Sequence, residues 1–187
     1  GVGKNYEAGI KGEYLDGALH TSLAVFRIDQ ENLASEADNQ LGCPVMTCYE
    51  ANGLVRSQGI ELELQGALSE NWQAGAGYTY ARAHFLKDDD PANENLRFES
   101  DTPEHMFKLS TVYRLQGPLD KLRIGGSVYW QSRLYTEGTT AGLAWMNTQG
   151  AYAVADLVVG YKPMPKLDIQ LNISNLFDKV YYRGIGY

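Results

Sequence analysis

The sequence has 187 residues, enough for one ordinary domain, and carries a formal net charge of -7. That acidity argues against a nucleic-acid partner, because phosphate binding needs clustered Lys and Arg, and the lack of any run of about 20 apolar residues excludes membrane-spanning helices. Thirteen Tyr and 20 Gly favour β-strands joined by many turns.

Alternation of apolar and polar side chains begins in residues 4–15, where Ile10 and Lys11 mark opposite faces. Asp16-Gly17 then tolerates the positive φ of a tight hairpin turn, and residues 19–33 form the returning strand. The sequence does not decide which face of this strand is the apolar one, because both sets of alternate residues contain apolar side chains. The two sets are Leu19, Leu23 and Val25 against Ala24, Phe26 and Ile28.

The same alternation predicts eight strands in all. They are residues 4–15, 19–33, 55–68, 72–85, 104–115, 122–135, 151–162 and 167–177. In the last strand Ile169 and Leu171 lie on one face, and Gln170 and Asn172 on the other. In a soluble sheet the apolar face is the core, whereas in an outer-membrane barrel it contacts lipid. The period alone does not separate these two structures.

The connections between strands alternate strictly between short and long. The long ones begin at residues 34, 86 and 136, so all short turns lie at one end of the sheet. Outer-membrane barrels show this asymmetry. Strands of roughly 12 residues, tilted by about 40°, rise about 30 Å and are long enough to cross the hydrocarbon layer.

Aromatic residues near the short turns agree with a membrane barrel. Tyr14, Trp72, Tyr113 and Tyr161 sit on the apolar faces, where an interfacial girdle belongs. Aromatic side chains that plug the end of a soluble barrel are the alternative, since Tyr and Trp are ordinary strand residues.

Other candidate motifs indicate no catalytic chemistry. Cys43 and Cys48 enclose four residues of a polar connection and predict a disulfide rather than a zinc site, with two unrelated thiols as the alternative. The run of Asp at 88–90 lacks the spacing of a calcium loop. Glu61 and Glu63 are explained as charge facing a barrel lumen. We therefore expect neither an enzyme nor a metal site.

Short motifs spread along the chain resemble the TonB-dependent outer-membrane receptors, more narrowly the ferric-siderophore receptors. The most specific is Asn175-Leu176-Phe177-Asp178-Lys179 followed by Tyr181-Tyr182. The others are Tyr6 to Gly12, Phe26-Arg27-Ile28 with Asn32, Ser57 to Glu61, Thr102-Pro103 and Val154 to Leu157.

The resemblance implies a plugged barrel of about 22 strands in the bacterial outer membrane that imports a ferric siderophore with energy from the TonB complex. Iron would then be held by the siderophore, with no separate cofactor. Residues 1–187 are expected to be a partial C-terminal barrel region of an all-β, antiparallel, up-and-down fold. The plug domain, its TonB-contacting segment and the final strand are expected to be absent.

Aromatic side chains near the long connections are the candidate ligand contacts, because a siderophore presents apolar and aromatic surface around its metal. They are Tyr49, Tyr135, Trp145 and Tyr187. Two other interpretations remain open. One is a complete eight-stranded outer-membrane barrel with a structural or adhesive role, and the other is a soluble ligand-binding barrel with the apolar face inward.

Overall fold

The computed structural model describes residues 1–36, 43, 48–88, 90–140 and 142–185. Most of this part is antiparallel β-structure. The strands are β1 (Val2–Tyr14), β2 (Leu19–Glu36), β3 (Tyr49–Ser69), β4 (Trp72–Lys87), β5 (His105–Arg114), β6 (Leu122–Gln131), β7 (Leu134–Thr140), β8 (Leu143–Gln149), β9 (Tyr152–Met164) and β10 (Leu167–Ile173). Short 3₁₀ helices cover Pro91–Asn93 and Gly117–Leu119. In the described ranges no helix has the length and apolar character needed to cross a membrane.

Eight strands form one sheet in the order β1-β2-β3-β4-β5-β6-β9-β10, in which every pair is antiparallel. The up-and-down arrangement predicted from the alternation is therefore confirmed. Strands β1 and β10 are the two edges and do not pair with each other, so the described sheet is open. That geometry does not support the interpretation as a complete eight-stranded barrel.

The pairing register decides the facing of β2, which the sequence leaves open. Leu23 lies opposite Ile10 of β1 and Leu62 of β3, and Val25 lies opposite Ile60. Because directly paired residues share a face, Leu19, Leu23 and Val25 join the apolar face, whereas Ala24, Phe26 and Ile28 belong to the polar one. Across the sheet the apolar row continues from Leu62 through Tyr78, Phe107 and Trp130.

The apolar face of the sheet is uncovered. Leu62 is 46% exposed and Leu171 is 58% exposed, and Ile60 and Ile169 are exposed as well. Within the described residues, the buried apolar side chains are Val55, Leu134 and Tyr152. A soluble barrel of this size would cluster the large aliphatic side chains in a dry centre. This sheet instead presents them to its surroundings.

The short turns and the aromatic girdle lie at one end of the sheet, as predicted. Asp16 and Gly17 take the positive φ values of a tight hairpin, 54° and 83°. Trp72 pairs with Tyr113 across β4 and β5, with ring centroids 6.4 Å apart in an edge-on arrangement. Tyr161 lies on the same face in β9, opposite Leu122.

Several strand boundaries differ from the sequence prediction. Strand β6 ends at Gln131 rather than at residue 135, because Leu134 and Tyr135 pair with β8 instead. The third long connection, predicted to be irregular over residues 136–150, contains the hairpin β7–β8. Strand β3 begins at Tyr49 rather than at residue 55, because residues 49–54 pair with residues 31–36 of β2. Strand β10 ends at Ile173 rather than at residue 177. The reason is that Asn175 adopts a φ of 52°, which ends the extended conformation.

Candidate functional site

The candidate functional site lies on the polar face, at the end with the long connections, where β6 ends and β9 begins. A pocket of about 540 Å³ lies there, between these strands and the chain that follows β10. Its main lining side chains are Tyr129, Gln131, Tyr152, Asp156, Tyr181 and Arg183. We call this the Gln131 pocket. Register places Gln131 opposite Tyr152 at the adjoining ends of β6 and β9.

Gln131 is the centre of the pocket and is only 5% exposed. Its Oε1 accepts hydrogen bonds from the hydroxyls of Tyr129, at 2.9 Å, and Tyr152, at 3.0 Å. The two phenol rings pack edge to face, and Tyr181 stacks on Tyr152 with centroids 4.6 Å apart. Both hydroxyls bond the amide oxygen, so Gln131 Nε2 is a buried donor with no hydrogen-bond partner among the described residues.

Asp156 fixes the floor of the pocket and the course of the chain after β10. Its Oδ1 accepts the backbone N–H of Asn175 at 2.8 Å, and its Oδ2 accepts the Ser127 hydroxyl at 3.2 Å. The Asn175 side chain then bonds the backbone of Lys179 in both directions. The motif from Asn175 to Lys179 is therefore a pinned turn in this structure, and it brings Tyr181 over Tyr152.

The predicted ligand contacts Tyr135 and Trp145 both lie on the β7–β8 hairpin, but on opposite faces. Tyr135 pairs with Thr148, whereas Trp145 pairs with Gly138. Gly138 is three positions after Tyr135 along β7, and an odd offset places two residues on opposite faces of a strand. The guanidinium carbons of Arg97 and Arg133 lie 5.4 and 5.7 Å from the centre of the Tyr135 ring. Trp145 packs over Gly138 and donates its Nε1–H to Thr140.

The remaining predicted residues lie elsewhere in the chain. Tyr49 starts β3 and is 65% exposed, while Tyr187 lies outside the described residues. The structure pairs Cys43 with Cys48, with their Cα atoms 5.9 Å apart. In the parts of the chain that the structure describes, no group of three or more His, Cys, Asp and Glu side chains is placed to hold a metal ion.

A charged cluster lies on the outward extension of the apolar face, beyond its aliphatic band. Asp29 is 5% exposed and accepts hydrogen bonds from two arginines, with 2.6 Å to Arg27 Nη2 and 2.7 Å to Arg56 Nε. These three residues share the face of Leu62 by register. On this face, aliphatic side chains lie nearer the short turns and charged side chains lie nearer the long connections. The apolar band therefore ends at the level of Asp29.

Reasoning from the sequence missed the Gln131 pocket. Tyr129, Gln131 and Asp156 all lie on the polar faces of their strands, where any residue of a barrel wall with polar interior would lie. A weak signal was present, since Val154 to Leu157 and Tyr181-Tyr182 were among the family-like motifs. Their convergence depends on the pairing of β6 with β9 and on the turn at Asn175.

Comparison with known proteins agrees with this architecture. The family model described as "TonB dependent receptor-like, beta-barrel" matches residues 2–176. The ferric-pyoverdine BN7/BN8 receptor of Pseudomonas putida is 43% identical over 98% of this chain and 20% of its own length. The ferripyoverdine receptor of Pseudomonas aeruginosa is 38% identical over 99% of this chain and 22% of its own length.

Solved structures give the same result. The ferripyoverdine receptor of the outer membrane of Pseudomonas aeruginosa, bound to ferripyoverdine, superposes with a TM-score of 0.84 at 34% identity, covering 96% of this chain and 24% of that one. This chain thus spans about a fifth of the length of the curated relatives described above. The matching family is one of transporters rather than enzymes. The chain belongs to the TonB-dependent receptor-like β-barrel family, and its place is in the bacterial outer membrane.

Proposed function

We propose that the full-length protein containing this chain binds a ferric siderophore at its outer face and imports it. Similarity to two ferric-pyoverdine receptors over 98 and 99% of the chain carries this proposal. In this proposal residues 1–187 form part of the barrel wall in its C-terminal region. The apolar face contacts lipid, and the polar face lines the lumen.

The long connections are the proposed capture surface, because in this orientation they lie outside the cell. Tyr49, Tyr135 and Trp145 lie in or beside those connections, and Tyr187 stays a candidate from the sequence. Because Tyr135 and Trp145 occupy opposite faces of one hairpin, a ligand on one side of it contacts only one of them. Iron enters as the siderophore complex and needs no protein ligands.

Import requires energy that an outer membrane does not supply. We propose that the TonB complex of the inner membrane provides it, through an N-terminal part of the full-length protein. The wall described here would take part in ligand capture and in lining the passage, without direct contact with TonB.

The test is a binding and uptake experiment with the purified full-length protein and with cells that have no other siderophore receptor. Ferripyoverdines and ferric catecholates are the first probes, in view of the relatives' names. We expect saturable binding of at least one complex, and uptake of its labelled iron that is lost in cells without TonB. Failure to bind or import any member of the panel would refute the proposal.

A further inference from the structure

We infer that the Gln131 pocket is a binding subsite for an oxygen-rich, anionic group of the imported ligand. This inference rests on the proposed function and adds a location and a chemistry to it. Tyr49, Tyr135 and Trp145, the described residues among those predicted from the sequence as ligand contacts, do not line this pocket.

The first argument is the fixed orientation of the Gln131 amide. Both phenol hydroxyls that reach the side chain donate to Oε1, which leaves Nε2 as the unpaired end of an amide that lines the pocket. A buried amide N–H without an acceptor costs free energy comparable to a lost hydrogen bond, so such groups are rare in folded proteins. A ligand oxygen at this position supplies the acceptor.

The second argument is the distribution of charge around the pocket. Arg183 lines it, and the Lys108 ammonium lies 5.8 Å from the centre of the Tyr129 ring at its border. Asp156 is the acidic residue among the lining side chains, and each of its carboxylate oxygens already accepts a hydrogen bond from the protein. The cationic side chains of Arg183 and Lys108, together with the faces of the phenol rings, are the groups that would attract an anionic, oxygen-rich part of a ligand.

The third argument is the position of the pocket in the sheet. Gln131 ends β6 and Tyr152 begins β9, so the pocket lies on the polar face at the end that carries the long connections. A solute that enters from outside meets this level of the wall first. Its volume of about 540 Å³ lies within the usual range of small-molecule pockets.

The decisive variant is Gln131→Glu in the full-length protein. Glutamate keeps the side-chain length and still accepts hydrogen bonds from both tyrosines, but it replaces the Nε2 donor with a carboxylate oxygen. We expect the Kd for ferripyoverdine to rise by about tenfold or more, because a charge-assisted hydrogen bond becomes a repulsion between oxygens. The matched control is Gln65→Glu, the same change at an exposed position of the polar face near the short turns, which should leave the Kd unchanged.

A second variant keeps the test informative if Gln131→Glu folds poorly. Arg183→Gln changes an exposed side chain outside the tyrosine network and should also weaken binding, with a smaller dependence of the Kd on salt. Arg183→Lys keeps the charge and should restore most of the affinity.

The outcomes separate the subsite from the proposed function. If wild-type protein binds no ferric siderophore, the proposed function fails and the subsite fails with it. If wild-type protein binds ferripyoverdine while Gln131→Glu and Arg183→Gln bind it as well as Gln65→Glu does, only the subsite is refuted. Unchanged affinity with lowered thermal stability of Gln131→Glu would assign the pocket to contact with another part of the polypeptide and would also overturn the inference.

Discussion

The cost of an arginine on the apolar face should depend strongly on its depth. Leu62 is the natural position, because it is 46% exposed and lies in the apolar row between Leu23 and Tyr78. It lies seven positions before Ser69, which is at the short-turn end of β3. At roughly 3.4 Å per residue and a tilt of about 40°, it lies about 18 Å above that end, near the middle of the hydrocarbon layer.

We therefore expect Leu62→Arg to lower the free energy of unfolding of the full-length protein by about 2–4 kcal/mol in phospholipid vesicles. Gln58→Arg, on the same face but about 10 Å nearer the outer end, should cost about 0–1 kcal/mol. Glu61→Arg lies at nearly the same depth as Leu62 on the polar face and should change stability by about 0.5 kcal/mol or less.

The assay is a denaturant titration of vesicle-inserted protein, with the folded fraction read from mobility on a cold SDS gel. The relative losses of unfolding free energy in the three variants test the assignment of the faces and of the membrane depth. Equal costs for Leu62→Arg and Gln58→Arg would refute the argument from membrane depth. A larger cost for Glu61→Arg than for Leu62→Arg would reverse the assignment of the two faces.

Three further predictions concern the ends of the sheet. Asp156→Ala removes two hydrogen bonds to a carboxylate and should lower stability by about 1.5–3 kcal/mol in the same titration, whereas the exposed Asp168 should tolerate Ala with a smaller loss. Asp29→Asn leaves two arginines without their shared carboxylate and should cost about 1–3 kcal/mol; a loss below about 0.3 kcal/mol would show that the cluster contributes little. Cys43 and Cys48 should react with iodoacetamide only after reduction, as measured by peptide mass; labelling of both without reduction would disprove the disulfide.

The wall of the sheet could be predicted from the sequence because each strand repeats one local signal. Glu61 and Leu62 point to opposite faces in any extended chain, so the alternation of β3 is decided by neighbours in sequence. The facing of β2 could not be decided in this way, since Phe26 and Ile28 match Leu23 and Val25 in hydrophobicity. Only the pairing with β1 and β3 selects one set.

The hairpin β7–β8 and the Gln131 pocket were not predicted for a related reason. Residues 136–150 are rich in Gly and Thr, and no strict alternation of apolar and polar residues marks these two strands. Gln131 reads like any polar residue of a barrel wall. Its place in the pocket depends on Tyr129 of β6 and Tyr152 of β9, and on a turn at Asn175. The alternation of apolar and polar residues does not predict that turn.

The most direct test of the account is the surroundings of two adjacent side chains in the membrane-embedded protein. Nitroxide labels at Leu62→Cys and Glu61→Cys, with Cys43 and Cys48 replaced by Ser, should collide with different relaxation agents. We predict that the label at residue 62 meets oxygen dissolved in the lipid and that the label at residue 61 meets a water-soluble nickel complex. The opposite pattern would contradict the claim that the aliphatic face of this sheet contacts lipid.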